Sequence, residues 1–224
     1  MILAPDKKFI FIHVPKAAGT SLNAALSMHD AFFPTPKRDL STRRQRAESL
    51  GLPPATAQLG EHASVTQFVA ALGQESFGTY YSFGFVRNPW DVAVSWFHYR
   101  LINPQVAGHA EAAAAATFQV YVRRCLTRPD AHQWVGLQHP YLVDEAGQVG
   151  VSFVGRYEAL ESDFARVAAL LKIDTLQLDR FNQSYHPTWP ELYTRETFTI
   201  VRSLVAIDAG LFGYPDEPGE YGIS

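Results

Sequence analysis

The sequence predicts an α/β fold in which helices cover a parallel sheet. Three short runs rich in β-branched and aromatic residues, at 9–14, 80–86 and 151–156, each predict a buried strand. A segment with helical character follows each run. Strands that alternate with helices in this way pair in parallel through helical crossovers, so both faces of the sheet are expected to be covered.

The helices are predicted from their apolar spacing, their composition and the residues at their ends. Asn88 is a good N-cap residue, and Pro89 stands at the first helical position, where proline is favoured. The alanine-rich segment 111–126 is predicted as one continuous helix. The other predicted helices cover 20–28, 65–72, 158–172 and about 191–211, and the helix after Pro89 extends to about Ile102.

Length and composition suit a single globular domain over residues 1–224, with a loose C-terminal tail from about residue 215. The formal net charge is −3. Because nothing global attracts a polyanion, we expect no general binding of nucleic acid, although this balance does not exclude a local basic site for a small anion.

Cysteine content and hydropathy indicate the cellular compartment in which the protein is expected. Cys125 is the only cysteine, so neither an intrachain disulfide nor a cysteine-based zinc site can form. The apolar run 9–14 is too short for a signal peptide, and no run approaches the roughly 20 apolar residues of a membrane span. We therefore expect a cytoplasmic protein without a transmembrane segment, whose oligomeric state the sequence does not indicate.

The loop after the first strand, residues 13–21 (HVPKAAGTS), predicts an anion site. Small residues between a buried strand and a helix let backbone N–H groups face an anion, and the positive helix end adds to the attraction. Lys16 supplies a full charge, while Thr20 and Ser21 supply hydroxyl donors. The lysine precedes Gly19, whereas in the P-loop motif it follows the glycine. Alternatively, Thr20 and Ser21 only cap the helix.

A second candidate phosphate site follows the strand 80–86. Arg87 ends that strand, and Ser95 lies two turns into the next helix. A residue at the end of a strand and one on the helix that starts there can converge on a ligand, and an arginine fork with a hydroxyl suits a phosphate dianion. The alternative is that Arg87 pairs with Asp91 and that Ser95 is a buried hydroxyl.

Together these two segments make the chain resemble the P-loop-type sulfotransferases, in particular the carbohydrate sulfotransferase branch with its short bacterial members. HVPKAAGTSL (13–22) is similar to that family's 5′-phosphosulfate loop, and FVRNPWDVAVSWF (85–97) to its 3′-phosphate motif. The likeness extends to 154–164, 182–186 and 207–214, and so covers nearly the whole chain. It departs at Ala18, where many relatives have glycine.

The resemblance implies a three-layer α/β fold with a central parallel sheet of about four to five strands. It also implies 3′-phosphoadenosine-5′-phosphosulfate (PAPS) as co-substrate, adenosine 3′,5′-bisphosphate as product, and no metal. In addition, a loop of the family that closes over the nucleotide corresponds to the region of Asn182 and Ser184. The implied nucleotide ligands are Lys16, Ala17, Ala18, Gly19, Thr20 and Ser21 for the 5′-phosphosulfate, Arg87 and Ser95 for the 3′-phosphate, and Asn182 and Ser184 as weaker candidates.

The predicted catalytic pair is Lys16, which would stabilise charge on the leaving nucleotide, and His62. In related sulfotransferases a histidine in a similar H-x-S setting takes the proton of the acceptor hydroxyl, and His62 in GEHAS matches it. Imidazole exchanges protons near neutral pH. Glu61 is the second candidate base. The alternative for His62 is a part in capping the next helix, and for His13 a place in the core is favoured.

The acceptor is expected to be a hydroxylated molecule, and the resemblance favours a saccharide or a glycolipid. Five basic and two acidic residues between Lys37 and Glu48 predict a surface loop with a short helix. This basic stretch is either a solvated face or a mobile electropositive flap. On the second view, neutralising Arg43, Arg44 and Arg46 changes acceptor binding more than folding, since exposed charges contribute little to stability.

Two other functions compete with sulfuryl transfer. One is a nucleotide kinase or another P-loop phosphotransferase, against which the displaced Lys16 and the lack of an obvious strand ending in a metal-binding aspartate argue. The other is a non-catalytic module that binds nucleotides or glycans. Variants of Lys16 and His62 that bind the donor and leave turnover unchanged would support neither catalytic assignment.

Overall fold

The computed structural model describes residues 1–173 and 188–223. Their contacts divide them into two compact units, each with its own interior. The first unit contains residues 1–86 and 140–173, and the second contains residues 87–139 and 188–223. The strands of the described residues all lie in the first unit, and the second unit is built from helices.

The first unit is organised around a four-stranded sheet whose strand order follows the chain. Its strands are β1 (Ile2–Ala4), β2 (Phe9–Ile12), β3 (Tyr81–Val86) and β4 (Phe153–Arg156). β2, β3 and β4 are parallel, at the three places where the sequence predicts strands. β1 is an added edge strand, antiparallel to β2. Three residues are too few for a periodic pattern, which is why the sequence did not reveal it.

Helices make up most of the remaining regular structure in the described ranges. In chain order they are α1 (Gly19–Leu26), α2 (Leu40–Ser49), α3 (Val65–Leu72), α4 (Gln74–Gly78), α5 (Pro89–Ile102), α6 (His109–Ala115), α7 (Phe118–Cys125), α8 (His132–Val135), α9 (His139–Leu142), α10 (Leu160–Leu171) and α11 (Arg195–Phe212). In this part of the chain, no helix has the length and apolar character needed to cross a membrane. The α/β class predicted from the sequence is therefore confirmed, with flanking helices about a mostly parallel sheet.

One face of the sheet forms the main apolar core of the first unit. Alternate residues of a strand point to the same face, so Phe9 and Phe11 of β2 lie beside Phe83 and Phe85 of β3. Helices α1 and α10 cover this face. The side chains they contribute to the core are Leu22 and Leu26 from α1 and Phe164 and Val167 from α10. The core thus fixes where β2 ends and where α1 begins.

In the second unit, α5 and α11 pack through aromatic side chains. The Trp90 ring stacks on Phe198 with 4.6 Å between ring centroids and 5° between their planes. The Tyr193 hydroxyl donates to the Trp90 carbonyl at 3.0 Å. Asn88 caps α5 as predicted, since its side chain accepts from the Trp90 backbone N–H. These contacts hold the first turn of α5, which follows Arg87, from several sides.

The alanine-rich segment 111–126 forms two helices, which corrects the prediction of one. α6 stops at Ala115, and Ala116 takes a left-handed φ of 62°. Thr117 then caps α7 by accepting a hydrogen bond from the Val120 N–H. The break lets Phe118 become buried. Helix propensity is a weak preference that tertiary packing overrides.

The C-terminal segment 215–223, which its composition predicts to be a loose tail, makes contacts through a few of its residues and is otherwise mostly exposed. The Tyr221 ring lies 5.8 Å from that of Trp90, and its hydroxyl accepts a hydrogen bond from the Asn88 amide at 3.0 Å. Asp216 and Glu217 pair with Arg202 on α11. One aromatic ring and two ion pairs thus connect this segment to the rest of the second unit.

The basic stretch contains a helix, as predicted, but one of its arginines is buried instead of lying on the surface. Arg43 is 2% exposed, donates from Nε to the Ala57 carbonyl at 2.8 Å, and lies 4.0 Å from the centroid of the Phe32 ring. Arg46 donates to the Ala31 carbonyl. Arg43 is therefore a structural residue, and only its exposed neighbours such as Arg44 remain as candidates for an electropositive surface.

We predict that Arg43→Ala destabilises the protein by about 2–4 kcal/mol, because it removes a buried charge-assisted hydrogen bond and a cation–π contact. Arg44→Ala, one residue away and exposed, should stay within about 0.5 kcal/mol of the wild type. Urea unfolding measures both changes. Equal stability of the two variants would show that Arg43 has no structural role.

Candidate active site

The loop between β2 and α1 has an unusual backbone that points to anion binding. Lys16 and Ala18 have left-handed φ values of 65° and 61°, whereas Ala17 and Gly19 do not. Such alternation turns successive N–H groups toward one side and forms a concave nest that binds anions. Gly19 is also the first residue of α1, so the positive end of a helix adjoins the nest.

The N-cap position of α1 is occupied by a residue that has no capping side chain. Ala18 is that residue and makes no side-chain cap hydrogen bond, while Thr20 and Ser21 lie inside the helix. Thr20 and Ser21 therefore do not cap α1, which was the alternative reading of their hydroxyls. Thr20 is exposed and Ser21 is buried, while Lys16 is half-buried. Chemically, the loop presents backbone donors, two hydroxyls and one ammonium group.

Gly19 is required because the His13 ring lies against its Cα. A methyl group there would overlap the imidazole of His13. His13 follows β2 and is only 5% exposed, so its expected place in the core is confirmed. Its Nδ1 is 2.7 Å from the Asn23 amide nitrogen, which donates to it. Burial lowers the pKa of His13 to about 2, so this ring stays neutral and acts as a fixed packing element.

The backbone carbonyl of His13 in turn selects the tautomer of the His62 ring. His62 Nδ1 lies 2.9 Å from the His13 carbonyl oxygen. A carbonyl only accepts hydrogen bonds, so Nδ1 carries the proton and Nε2 of the neutral ring holds the lone pair. His62 is exposed, and α3 is capped by Ser64 instead. His62 is therefore oriented as a proton acceptor beside the β2–α1 loop, and it does not cap the helix.

Glu61 completes a cluster with the two histidines. Its carboxylate lies 3.4 Å from His13 Nδ1 and 3.6 Å from Lys37 Nζ, and the residue is exposed. The donor atoms of His13, Glu61 and His62 lie within 4.8 Å of one another, a set that could hold a metal ion. One existing contact competes with that use, since the Asn23 amide donates to His13 Nδ1.

The second candidate region begins at Arg87, in the second unit. Its guanidinium forms two hydrogen bonds with the Asp91 carboxylate, from Nε at 2.6 Å and from a terminal nitrogen at 2.8 Å. Both side chains are nearly buried, at 12% and 11% exposed. The pairing considered as an alternative thus exists. It fixes the plane of the guanidinium.

Ser95 belongs to the same part of α5. Asp91 and Ser95 are four residues apart on one helix, so their side chains share a face. Because Asp91 holds the Arg87 guanidinium, Arg87 lies beside the face that carries Ser95. Ser95 is 4% exposed. The second unit therefore contains both residues that the sequence assigns to one phosphate, with Asp91 bound to Arg87 and one helical turn before Ser95.

A comparison with known families identifies the chain. A sequence profile described as the Sulfotransferase family matches residues 1–204. The chain belongs to the sulfotransferase family. No curated protein and no solved structure matches it. Membership of the sulfotransferase family favours sulfuryl transfer over the kinase alternative.

The predicted site residues fall into three groups in the sulfotransferase. The first unit contains the loop residues from Lys16 to Ser21 together with His62, which is anchored to His13. The second unit contains Arg87 and Ser95. Asn182 and Ser184 lie outside the described residues.

Sequence reasoning missed what His13 and Asp91 do for their neighbours. The His13 side chain was correctly placed in the core, but a backbone carbonyl has no signature in a sequence. Asp91 was seen only as a competitor for Arg87. Its spacing of four residues from Ser95 on the predicted helix was the signal that could have shown these two residues on one face.

We predict opposite effects for two changes in the loop. Gly19→Ala should destabilise the protein by about 1–3 kcal/mol, because the methyl group displaces His13. This opposes the roughly 1 kcal/mol that helix propensity alone favours for alanine over glycine.

Ala18→Gly is the matched change, because it relieves a left-handed alanine and should stabilise the protein or leave it unchanged. Chemical denaturation of both variants gives the comparison. A stabilising Gly19→Ala would mean that His13 does not pack against Gly19.

Proposed function

We propose that this sulfotransferase transfers the sulfuryl group of PAPS to a hydroxyl of a saccharide or a glycolipid. The observation that carries the proposal is the nest formed by alternating φ values at residues 16–19, at the start of α1. Such a nest suits a small, highly charged oxyanion group. The family resemblance of the segment 13–22 supports the 5′-phosphosulfate as that group.

On the donor side, Lys16 and the loop donors act on the oxygen that leaves with the nucleotide. Sulfuryl transfer breaks the bond between sulfur and the oxygen that bridges it to the 5′-phosphate. Negative charge develops on that oxygen in the transition state. Backbone N–H groups already held in place, with one ammonium group, stabilise that charge without reorganising. Thr20 and Ser21 add hydroxyl donors to phosphate or sulfate oxygens.

The 3′-phosphate of the donor is assigned to Arg87 and Ser95. The support is the motif at 85–97 together with the fixed plane of the Arg87 guanidinium. A guanidinium that is oriented in advance loses less entropy when it binds a phosphate. Asp91 limits the net charge of this region, so recognition depends on geometry as well as on charge.

On the acceptor side, His62 is the proposed base. Its Nε2 lone pair would take the proton of the acceptor hydroxyl as the hydroxyl oxygen attacks sulfur. The bond from that oxygen to sulfur forms while the bridging bond breaks, and the proton ends on His62. The His13 carbonyl holds the correct tautomer and supports the imidazolium that results.

The acceptor must reach His62 from solvent. His62 is exposed, and the Tyr141 ring lies 6.3 Å from its ring. An aromatic side chain beside the base offers an apolar platform for the face of a sugar. This supports a saccharide acceptor, which includes the head group of a glycolipid.

The experiment that tests the proposal combines binding and turnover. Adenosine 3′,5′-bisphosphate should raise the melting temperature in the absence of Mg²⁺, whereas ATP with Mg²⁺ should change it little. Transfer of labelled sulfate from PAPS to a panel of saccharides and glycolipids then identifies the acceptor class. Binding of the bisphosphate without transfer to any hydroxyl acceptor would favour the non-catalytic module.

We predict that Arg87→Ala weakens binding of PAPS and adenosine 3′,5′-bisphosphate by about 1.5–3 kcal/mol, the usual contribution of a charge-assisted contact. Binding of adenosine 5′-phosphosulfate, which lacks the 3′-phosphate, should change far less. Isothermal titration calorimetry measures all three affinities.

Because Arg87→Ala also leaves Asp91 without this arginine, the control is the double variant Arg87→Ala/Asp91→Ala. The double variant should keep the same selective loss. Equal losses for ligands with and without the 3′-phosphate would show that Arg87 does not recognise that group.

We predict that His62→Ala lowers turnover by roughly 10²–10⁴-fold, the range for a positioned acid–base group. Nucleotide affinity should stay nearly intact, because His62 belongs to neither phosphate motif. Glu61→Gln, which alters the neighbouring carboxylate of the cluster, is the matched control and should cost much less. If His62→Ala retains a tenth or more of the activity, or if Glu61→Gln is the more damaging change, the base is not His62.

A further inference from the structure

A fully buried glutamine holds the backbone of Arg87. Gln138 has no exposed surface, and its side-chain amide forms both hydrogen bonds that a neighbouring strand would form. The Arg87 N–H donates to Gln138 Oε1 at 2.8 Å, and Gln138 Nε2 donates to the Arg87 carbonyl at 2.7 Å. The main chain of Arg87 is therefore fixed just beyond β3, where ladder pairing with β4 ends at Val86.

A buried aspartate on α11 holds that glutamine in turn. Asp208 is 1% exposed and accepts three hydrogen bonds. The backbone N–H of Gln138 donates to Oδ2 at 2.8 Å, and the backbone N–H of His139 donates to Oδ1 at 2.8 Å. The His139 ring donates from Nδ1 to Oδ1 at 2.7 Å. Asp208 thus caps the start of α9 and fixes the segment from which the Gln138 side chain extends.

We propose that Asp208 and Gln138 are positioning residues for Arg87, and through it for recognition of the 3′-phosphate. This inference rests on the proposed function. Asp91 fixes the plane of the guanidinium, but the position of the guanidinium also depends on the position of the Arg87 Cα. Gln138 fixes that Cα, and Asp208 anchors Gln138 to α11. The path lies entirely within the second unit.

A purely structural role explains this arrangement less well. A buried carboxylate and a buried amide lose their hydration, and apolar side chains of similar size often stabilise a protein at least as well. A carboxylate and an amide form directional hydrogen bonds. These bonds hold one backbone segment in a fixed direction, which an apolar side chain cannot do. The segment 207–214 resembles the family's sequence but had no assigned role, and Asp208 supplies one.

The test measures how much the 3′-phosphate contributes to binding. For each variant, calorimetry gives the affinity for adenosine 3′,5′-bisphosphate divided by that for adenosine 5′-monophosphate. Gln138→Leu and Asp208→Asn should lower this ratio about tenfold, as loss of a supporting hydrogen-bond shell does elsewhere. Val205→Ala, buried in α11 one turn before Asp208, loses packing only and should leave the ratio unchanged.

A milder variant covers the case in which Gln138→Leu or Asp208→Asn does not fold. His139→Ala removes one of the three donors to Asp208, keeps both backbone donors, and should give a smaller fall in the same ratio. The positioning role is overturned if these variants keep the wild-type ratio, or if Val205→Ala lowers it equally.

The wild type and Arg87→Ala separate this inference from the proposed function. A wild-type ratio near one, unaffected by Arg87→Ala, would overturn the assignment of the 3′-phosphate itself. A large wild-type ratio that Arg87→Ala abolishes, but that Gln138→Leu and Asp208→Asn preserve, would overturn only the positioning role.

Discussion

The tight connection between β2 and α1 is the constraint on which the candidate active site depends. A buried strand ends at Ile12 and a helix begins at Gly19, so few residues must reverse the chain. The chain meets this with left-handed Lys16 and Ala18, which turns backbone N–H groups toward one side. The same turn places the His13 ring on Gly19 and leaves the His13 carbonyl for His62. The candidate anion site and the candidate base are thus positioned by the same backbone segment.

Hydrogen bonds between backbone and side-chain groups position the functional residues of both units. In the first unit, a carbonyl selects the tautomer of His62. In the second, Gln138 binds the N–H and carbonyl of Arg87, while Asp91 holds its guanidinium. Hydrogen bonds to fixed backbone restrict side chains that would otherwise occupy several rotamers, and this preorganisation lowers the entropy lost when a substrate binds.

The composition of a segment does not show which of its charged residues are buried and which are exposed. Arg43 belongs to the basic stretch, yet it packs on Phe32 and donates to backbone carbonyls. Asp208 belongs to a mostly apolar helix, yet it organises the segment at 138–139. A charge run in a sequence gives net charge only, because burial depends on which residues distant in the chain pack around each charge.

The sequence by itself determined the α/β class, the three parallel strands, the helices that begin at Val65 and Pro89, and the segments that carry the phosphate motifs. These follow from local periodicity and from capping residues such as Ser64 and Asn88, which act over a few positions. Only the tertiary structure decided the antiparallel β1, the break at Ala116, the burial of Arg43 and the partners of His62 and Arg87. Each of these depends on contacts between distant residues or on backbone atoms, and neither leaves a pattern in the sequence.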